Sequence, residues 1–270
     1  MNRGFNQTAE FCPIFQTLKR IMRPNLVYVT VVQNDDGLDT KGLFDQKSLP
    51  NLLVISSGGF GHIPIPLTKA VLPLANVANQ YLYDLSLCGS QNGPVRKRTV
   101  LFFSEQKAVN FKYYEGEDWM KVMKQSKLIL TPRGFGRSAY KIYETIQMGL
   151  VPVYVYDRVP WLPYKGTQAD FSNLGYSFSV NNLSALTTLA KDVAVDVLNT
   201  KRKNIIKFRE SHFTSAGVIQ QILRWLKGEQ SDLTCEAYPV CATIDKREDP
   251  AMSGRVECPG RQPTTRRCLR

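Results

Sequence analysis

The stretch Thr131-Pro132-Arg133-Gly134-Phe135-Gly136-Arg137-Ser138 has the residue types that point most directly to chemistry. It leaves a strand-like apolar run, Lys127 to Thr131, and enters a helical pattern from Ser138 to Met148. Gly134 and Gly136 permit backbone conformations that turn N–H groups toward a ligand. A helix start adds the positive end of its dipole. Arg133 and Arg137 add permanent charges with forked donors suited to phosphate. Ser138 can cap the helix or donate its hydroxyl. Together these favour an anion, and a diphosphate fits. A G-x-G alone is a weak signal.

The helix that follows separates its faces. Arg137, Tyr140, Lys141 and Glu144 recur at i, i+3, i+4 and i+7, while Ala139, Ile142, Tyr143 and Ile146 share the same spacing and are expected to pack on a sheet. Glu144 can accept hydrogen bonds from ribose hydroxyls while a diphosphate sits at the helix start. It can equally pair with Lys141 or face water, and the residues alone leave these open. After Gly149, the run Val151 to Tyr156 reads as a strand ending at Asp157. That places Asp157 at a carboxyl edge, where α/β sheets bind ligands, although a turn-forming Asp fits as well. His62 follows a glycine-rich loop, Gly58 to Gly61, and its imidazole titrates near neutrality. It is a candidate base, with a structural histidine as the plainer alternative.

These residues need elements to position them. Leu26–Val32 and Leu52–Ser56 read as buried strands. Residues 66–83 suggest a short helix ending near Asp84, and Ser90–Pro94 a linker. Strands are expected at Thr99–Phe103, Lys127–Thr131, Val151–Tyr156 and Tyr176–Val180, with helices at Asp118–Gln125, Ser138–Met148, 183–198, 201–211 and 214–228. Strands alternating with helices predict an α/β protein: a Rossmann-like parallel sheet flanked by helices. The expected division is residues 1–94, a partial N-terminal α/β domain on the acceptor side; 95–230, a nucleotide-binding Rossmann-like domain; and 231–270, a Cys- and Arg-rich tail.

The 270 residues are 43% hydrophobic and 21% charged, which supports a folded core rather than wholesale disorder. The net charge of +12 favours anionic partners. A polysaccharide or nucleic acid satisfies that charge too, but only Phe208 interrupts the basic cluster Lys201–Arg209, so nucleic acid is not expected. No apolar run approaches the ~18 residues of a membrane helix, and no signal-type segment opens the chain, which taken alone predicts a soluble, untargeted protein. Cys235, Cys241, Cys258 and Cys268 are spaced C-x5-C-x16-C-x9-C. That spacing lacks the close pair of a zinc site and fits disulfides or free thiols alike. Asn6-Gln7-Thr8 and Asn182-Leu183-Ser184 match the glycosylation pattern.

One resemblance draws these features together. Ser126-Lys127 with the strand into Pro132-Arg133-Gly134, then Ser138, Tyr143-Glu144, Gly149-Leu150-Val151-Pro152-Val153, Asp157 and Leu162-Pro163-Tyr164 resemble, in order, the donor half of the exostosin domain, glycosyltransferase family 47. Arg98–Glu105 is similar to the strand that opens that half. The likeness is strongest over about residues 95–165 and extends to about 228. It implies a two-domain GT-B architecture with a reduced or truncated N-terminal domain. It implies inverting, metal-independent transfer from a UDP-sugar to a hydroxyl of a glycan or glycoprotein, with no cofactor, in the Golgi or secretory pathway. Arg133 would meet the diphosphate and Glu144 the ribose or sugar, with Arg137 and Ser138 lining the same pocket. Because the family's acceptor site usually lies in a full N-terminal half, the alternative is a non-catalytic nucleotide-sugar-binding fragment, or a subunit beside a partner glycosyltransferase.

Overall fold

A computed structural model describes residues 13–34, 49–59, 61–76 and 80–234. The four cysteines from Cys235 onward, the C-terminal arginines, Asn6 and the Asp35–Gly37 turn lie outside them. The contacts divide the chain into two units, one through Pro64 and one from Ile65 to Thr234.

In the first unit, α1 (Pro13–Ile21) precedes a three-stranded parallel sheet of β1 (Tyr28–Val32), β2 (Leu52–Ser56) and β3 (Ile63–Pro64), in that order. β2 is the central strand, and all five of its residues are buried. That is why its sequence is an unbroken apolar run. Phe15, Leu49, Leu52 and Val54 form the core, with Leu18 and Met22 added at helical spacing.

The second unit is a five-stranded, all-parallel sheet covered by helices. Its strands are β4 (Tyr83–Cys88), β5 (Phe111–Tyr114), β6 (Ser126–Pro132), β7 (Pro152–Tyr156) and β8 (Tyr176–Ser179). Its helices are α2 (Pro94–Glu105), α3 (Trp119–Lys124), α4 (Tyr140–Gln147), α5 (Phe171–Leu174), α6 (Leu183–Asp192), α7 (Val195–Phe213) and α8 (Ser215–Leu226). The spatial order is β5-β4-β6-β7-β8. The chain therefore leaves β4 in one direction and returns past it to β6, so the order reverses between these two strands. The fold is α/β and Rossmann-like.

Several expectations change. Thr99–Phe103 is not a strand but the interior of α2. Pro94 occupies the first turn, where its missing N–H costs nothing. Val95, Thr99, Val100 and Phe103 then fall on one buried helical face, while Leu101 is 62% exposed. No helix forms at 66–83 among the described residues. Its N–H groups are satisfied elsewhere: Leu72 donates to Gln147 Oε1 (2.9 Å) and Ala75 to the Met148 carbonyl (2.9 Å). The division after residue 94 falls inside the five-stranded sheet, because β4 precedes it. The Ser90–Pro94 stretch is the turn from β4 into α2. The break between the first two C-terminal helices lies at Val193–Ala194, so 195–213 is one continuous helix.

Candidate functional site

In a sheet of this order, ligands bind at the carboxyl ends of the two strands where the winding reverses. Here those are β4 and β6. Residues 89–93 leave β4, and residues 133–139 leave β6. Gly89 (φ 125°) and Gly93 (φ 88°) hold left-handed backbone that other residues rarely adopt. Gly93 is the N-cap of α2. A Cβ placed on it would lie 3.9 Å from the Gly134 carbonyl, and one on Gly134 would lie 3.8 Å from Arg96 Nη2. The two turns are thus neighbours. Arg96, in the first turn of α2, also donates to the Ser90 carbonyl (3.2 Å). At the end of β5, Tyr113 donates its hydroxyl to Glu115 (2.6 Å).

The 133–138 loop is held from within by Arg133. Its Nε and Nη2 each donate to one Asp157 oxygen at 2.6 Å, a fork-on-fork pair across β6 and β7. Its Nη1 donates to the carbonyls of Gly134, Phe135 and Gly136 at 3.1, 3.2 and 3.3 Å. Burial raises the pKa of Asp157, but Arg133 more than offsets this and holds the carboxyl below its ordinary range. The Gly134 N–H closes the loop on the Ser138 carbonyl (2.9 Å), and the Tyr154 hydroxyl donates to the Arg137 carbonyl. Arg133 and Asp157 are therefore brought together, though as partners of each other.

The other expected residues take distinct places. Neither Gly134 nor Gly136 has a positive φ, so the loop does not depend on glycine freedom there. Ser138 is fully buried and donates to the Tyr143 hydroxyl (3.3 Å); the N-cap of α4 is Ala139, which has no side-chain cap. Arg137 stands half-buried at the end of the loop. Ala139, Ile142, Tyr143 and Ile146 pack on the sheet as their spacing implies. Glu144 is held by two lysines, Lys141 Nζ at 2.6 Å and Lys69 Nζ at 3.6 Å. Lys141 also lies 3.7 Å over the Trp119 ring, and Lys69 4.4 Å over Tyr140. Burial pushes the Cys88 thiol, at the end of β4, up to about 11, against the opposing charge of Lys141.

His62 belongs to the first unit. Its Nδ1 accepts the Val54 N–H (2.9 Å), while the His62 backbone N–H donates to the Val54 carbonyl (2.7 Å). Burial lowers its pKa. The ring is thus neutral with its proton on Nε2, a tautomer that braces β2 and offers no lone pair at Nε2.

The sequence reading missed the β4–α2 turn. Its signal is a G-x3-G-P run directly after a short strand, masked because Asp84 and Ser86 interrupt β4. Among the described residues no helix is long and apolar enough to cross a membrane, and no cluster of three His, Cys, Asp or Glu side chains is placed to hold a metal.

No family model matches the chain, and no curated protein matches it. Among solved structures it is similar to MurG of Acinetobacter baumannii, at 14% identity over 76% of this chain and 67% of that one, with TM-score 0.39. TarM is similar at 12% identity over 78% of this chain and 52% of that one, TM-score 0.42. The lipopolysaccharide outer core galactosyltransferase WaaB, in its apo form, is similar at 8% identity over 80% of this chain and 78% of that one, TM-score 0.41.

Proposed function

We propose that the chain is a glycosyltransferase of GT-B type, exostosin-like, that takes a sugar from a UDP-sugar. The diphosphate lies at the β4/β6 crevice. The observation that supports this is the charge at the crevice: α2 and α4 both begin there, and neither has an acidic residue in its first turn. Arg96, Lys97 and Lys141 occupy those turns instead, with Arg137 just before α4. Basic residues at helix N-termini oppose the dipole and destabilise an isolated helix. An anion at the crevice reverses that cost.

In this reading the donor's diphosphate meets the 89–93 turn, the 133–138 loop and Arg137, and Glu144 accepts from the ribose. Arg133 and Asp157 hold the loop in its binding shape. An acceptor hydroxyl of a glycan or glycoprotein attacks the anomeric carbon, the bond to the diphosphate oxygen breaks, UDP leaves, and the hydroxyl proton passes to a base or to water. The fixed donors stabilise charge on the departing UDP. The exostosin resemblance supplies UDP, inversion and the secretory setting. The commitment of His62 Nδ1 to Val54 favours one alternative, a donor-binding subunit whose base comes from a partner chain. Calorimetry with UDP and a panel of UDP-sugars, together with UDP release assays with and without glycan acceptors, tests both. Binding with turnover supports the transferase, and binding without turnover supports the subunit. Absence of binding refutes the donor site.

A further inference from the structure

Lys141 lies in the first turn of α4. Its ammonium lies 2.6 Å from Glu144 Oε2 and 3.7 Å from the centre of the Trp119 ring, on a side chain that is only 16% exposed. An ion pair on one side and an aromatic face on the other fix a side chain that is otherwise flexible. Its place in the fold follows from Trp119, whose carbonyl accepts from Cys88 Sγ at 3.6 Å. Cys88 is the last residue of β4, directly before Gly89. The ammonium therefore stands near the carboxyl end of β4, close enough for its charge to act on the Cys88 thiol.

The charge count at this point is uneven. Lys69 Nζ also reaches Glu144, at 3.6 Å from Oε1. Two ammonium groups share one carboxylate, so the cluster carries a surplus positive charge. Lys69 can continue to neutralise Glu144 when Lys141 turns toward a ligand. Arg133 is not placed for that task, since its guanidinium is engaged by Asp157 and three loop carbonyls.

We infer that Lys141, beside Arg137, meets the donor's diphosphate charge directly, while Arg133 acts by positioning the loop. The inference rests on the donor-site reading above and assigns the phosphate contact within it. It is tested with the full chain by titrating UDP, UMP and uridine into the wild type, Lys141→Met and Lys141→Arg, using calorimetry for the nucleotides and ligand-observed NMR for uridine. Charged hydrogen bonds to phosphate are strong, so Lys141→Met is expected to weaken UDP by roughly tenfold to a hundredfold. Uridine affinity stays within about twofold, and Lys141→Arg recovers most of the loss. Lys141→Gln repeats the comparison with a polar side chain in case the Met variant does not fold. Equal weakening of UDP and uridine overturns the inference, because Lys141 then acts only through Glu144. Unchanged UDP affinity overturns it as well. A wild type that binds neither UDP nor uridine refutes the donor site itself, and the assignment with it.

Discussion

Replacing Asp157 with Asn probes how the 133–138 loop is built. The carboxylate accepts two 2.6 Å bonds from Arg133, with side-chain exposures of 15% for Arg133 and 24% for Asp157. Breaking a fully buried pair by removing one partner costs about 3–5 kcal/mol. Asp157 is a quarter exposed and Arg133 keeps its three carbonyls, so about 2 kcal/mol is expected. For a unit of this size that is a fall in Tm of roughly 4–8 °C. Urea denaturation at pH 7 measures it directly. The pH dependence follows the sign of the Asp157 shift. Its folded pKa lies below the ordinary 3.8, so the pair's contribution is complete above that value and fades as pH falls through the folded pKa. The gap between wild type and Asp157→Asn narrows over the same range. The role of Arg133 comes from a double-mutant cycle read by UDP affinity. If Arg133 acts through the loop, Asp157→Asn and Arg133→Lys overlap, and the double variant loses little more than either single one. Fully additive losses, or an Asp157→Asn protein as stable as wild type within about 0.3 kcal/mol, refute this account of the loop.

Gly93→Ala forces a side chain onto a φ of 88° and is expected to cost about 1–2 kcal/mol and weaken UDP binding, as read by denaturation and calorimetry. Gly134→Ala places its Cβ 3.5 Å from the Ser138 carbonyl with ordinary φ, so its stability should stay within about 0.5 kcal/mol of wild type. Gly217→Ala would put a Cβ 2.3 Å from the Glu210 carbonyl where α7 meets α8; a loss of about 3 kcal/mol or more is expected in the same denaturation assay. His62→Leu removes the Nδ1 acceptor of the Val54 N–H and is expected to cost about 1–3 kcal/mol. Because burial lowers its folded pKa, the wild type loses stability as pH falls below about 6.5 toward that pKa, and the variant lacks this slope. Denaturation at pH 7.5 and 5.5 compares the two.

The segment from β6 through α4 to β7 was readable because its patterns are strong. β6 and β7 are short apolar runs, the buried side of α4 repeats at helical spacing, and Gly149 ends the helix at φ 72°. The other half of the crevice was not. Val100 and the paired Phe102 and Phe103 look like a strand until Pro94 is seen to start a helix, and β4 hides behind the buried Ser86 and its partly buried Asp84. Side-chain type marked Arg133 as a forked donor for an anion but not the carboxylate it meets. Asp157 lies 24 residues away in sequence and meets Arg133 only because β6 and β7 pair in parallel. Glu144 shows the same limit: its pairing with Lys141 could be read from helical spacing, but its contact with Lys69 depends on a segment that was expected to be helical.

The central claim is that a nucleoside diphosphate binds at the carboxyl ends of β4 and β6. Amide NMR of the full chain during titration with UDP tests it most directly. The account predicts saturable shifts concentrated at residues 89–98 and 133–144. Shifts confined to other residues, or none at millimolar UDP, contradict it.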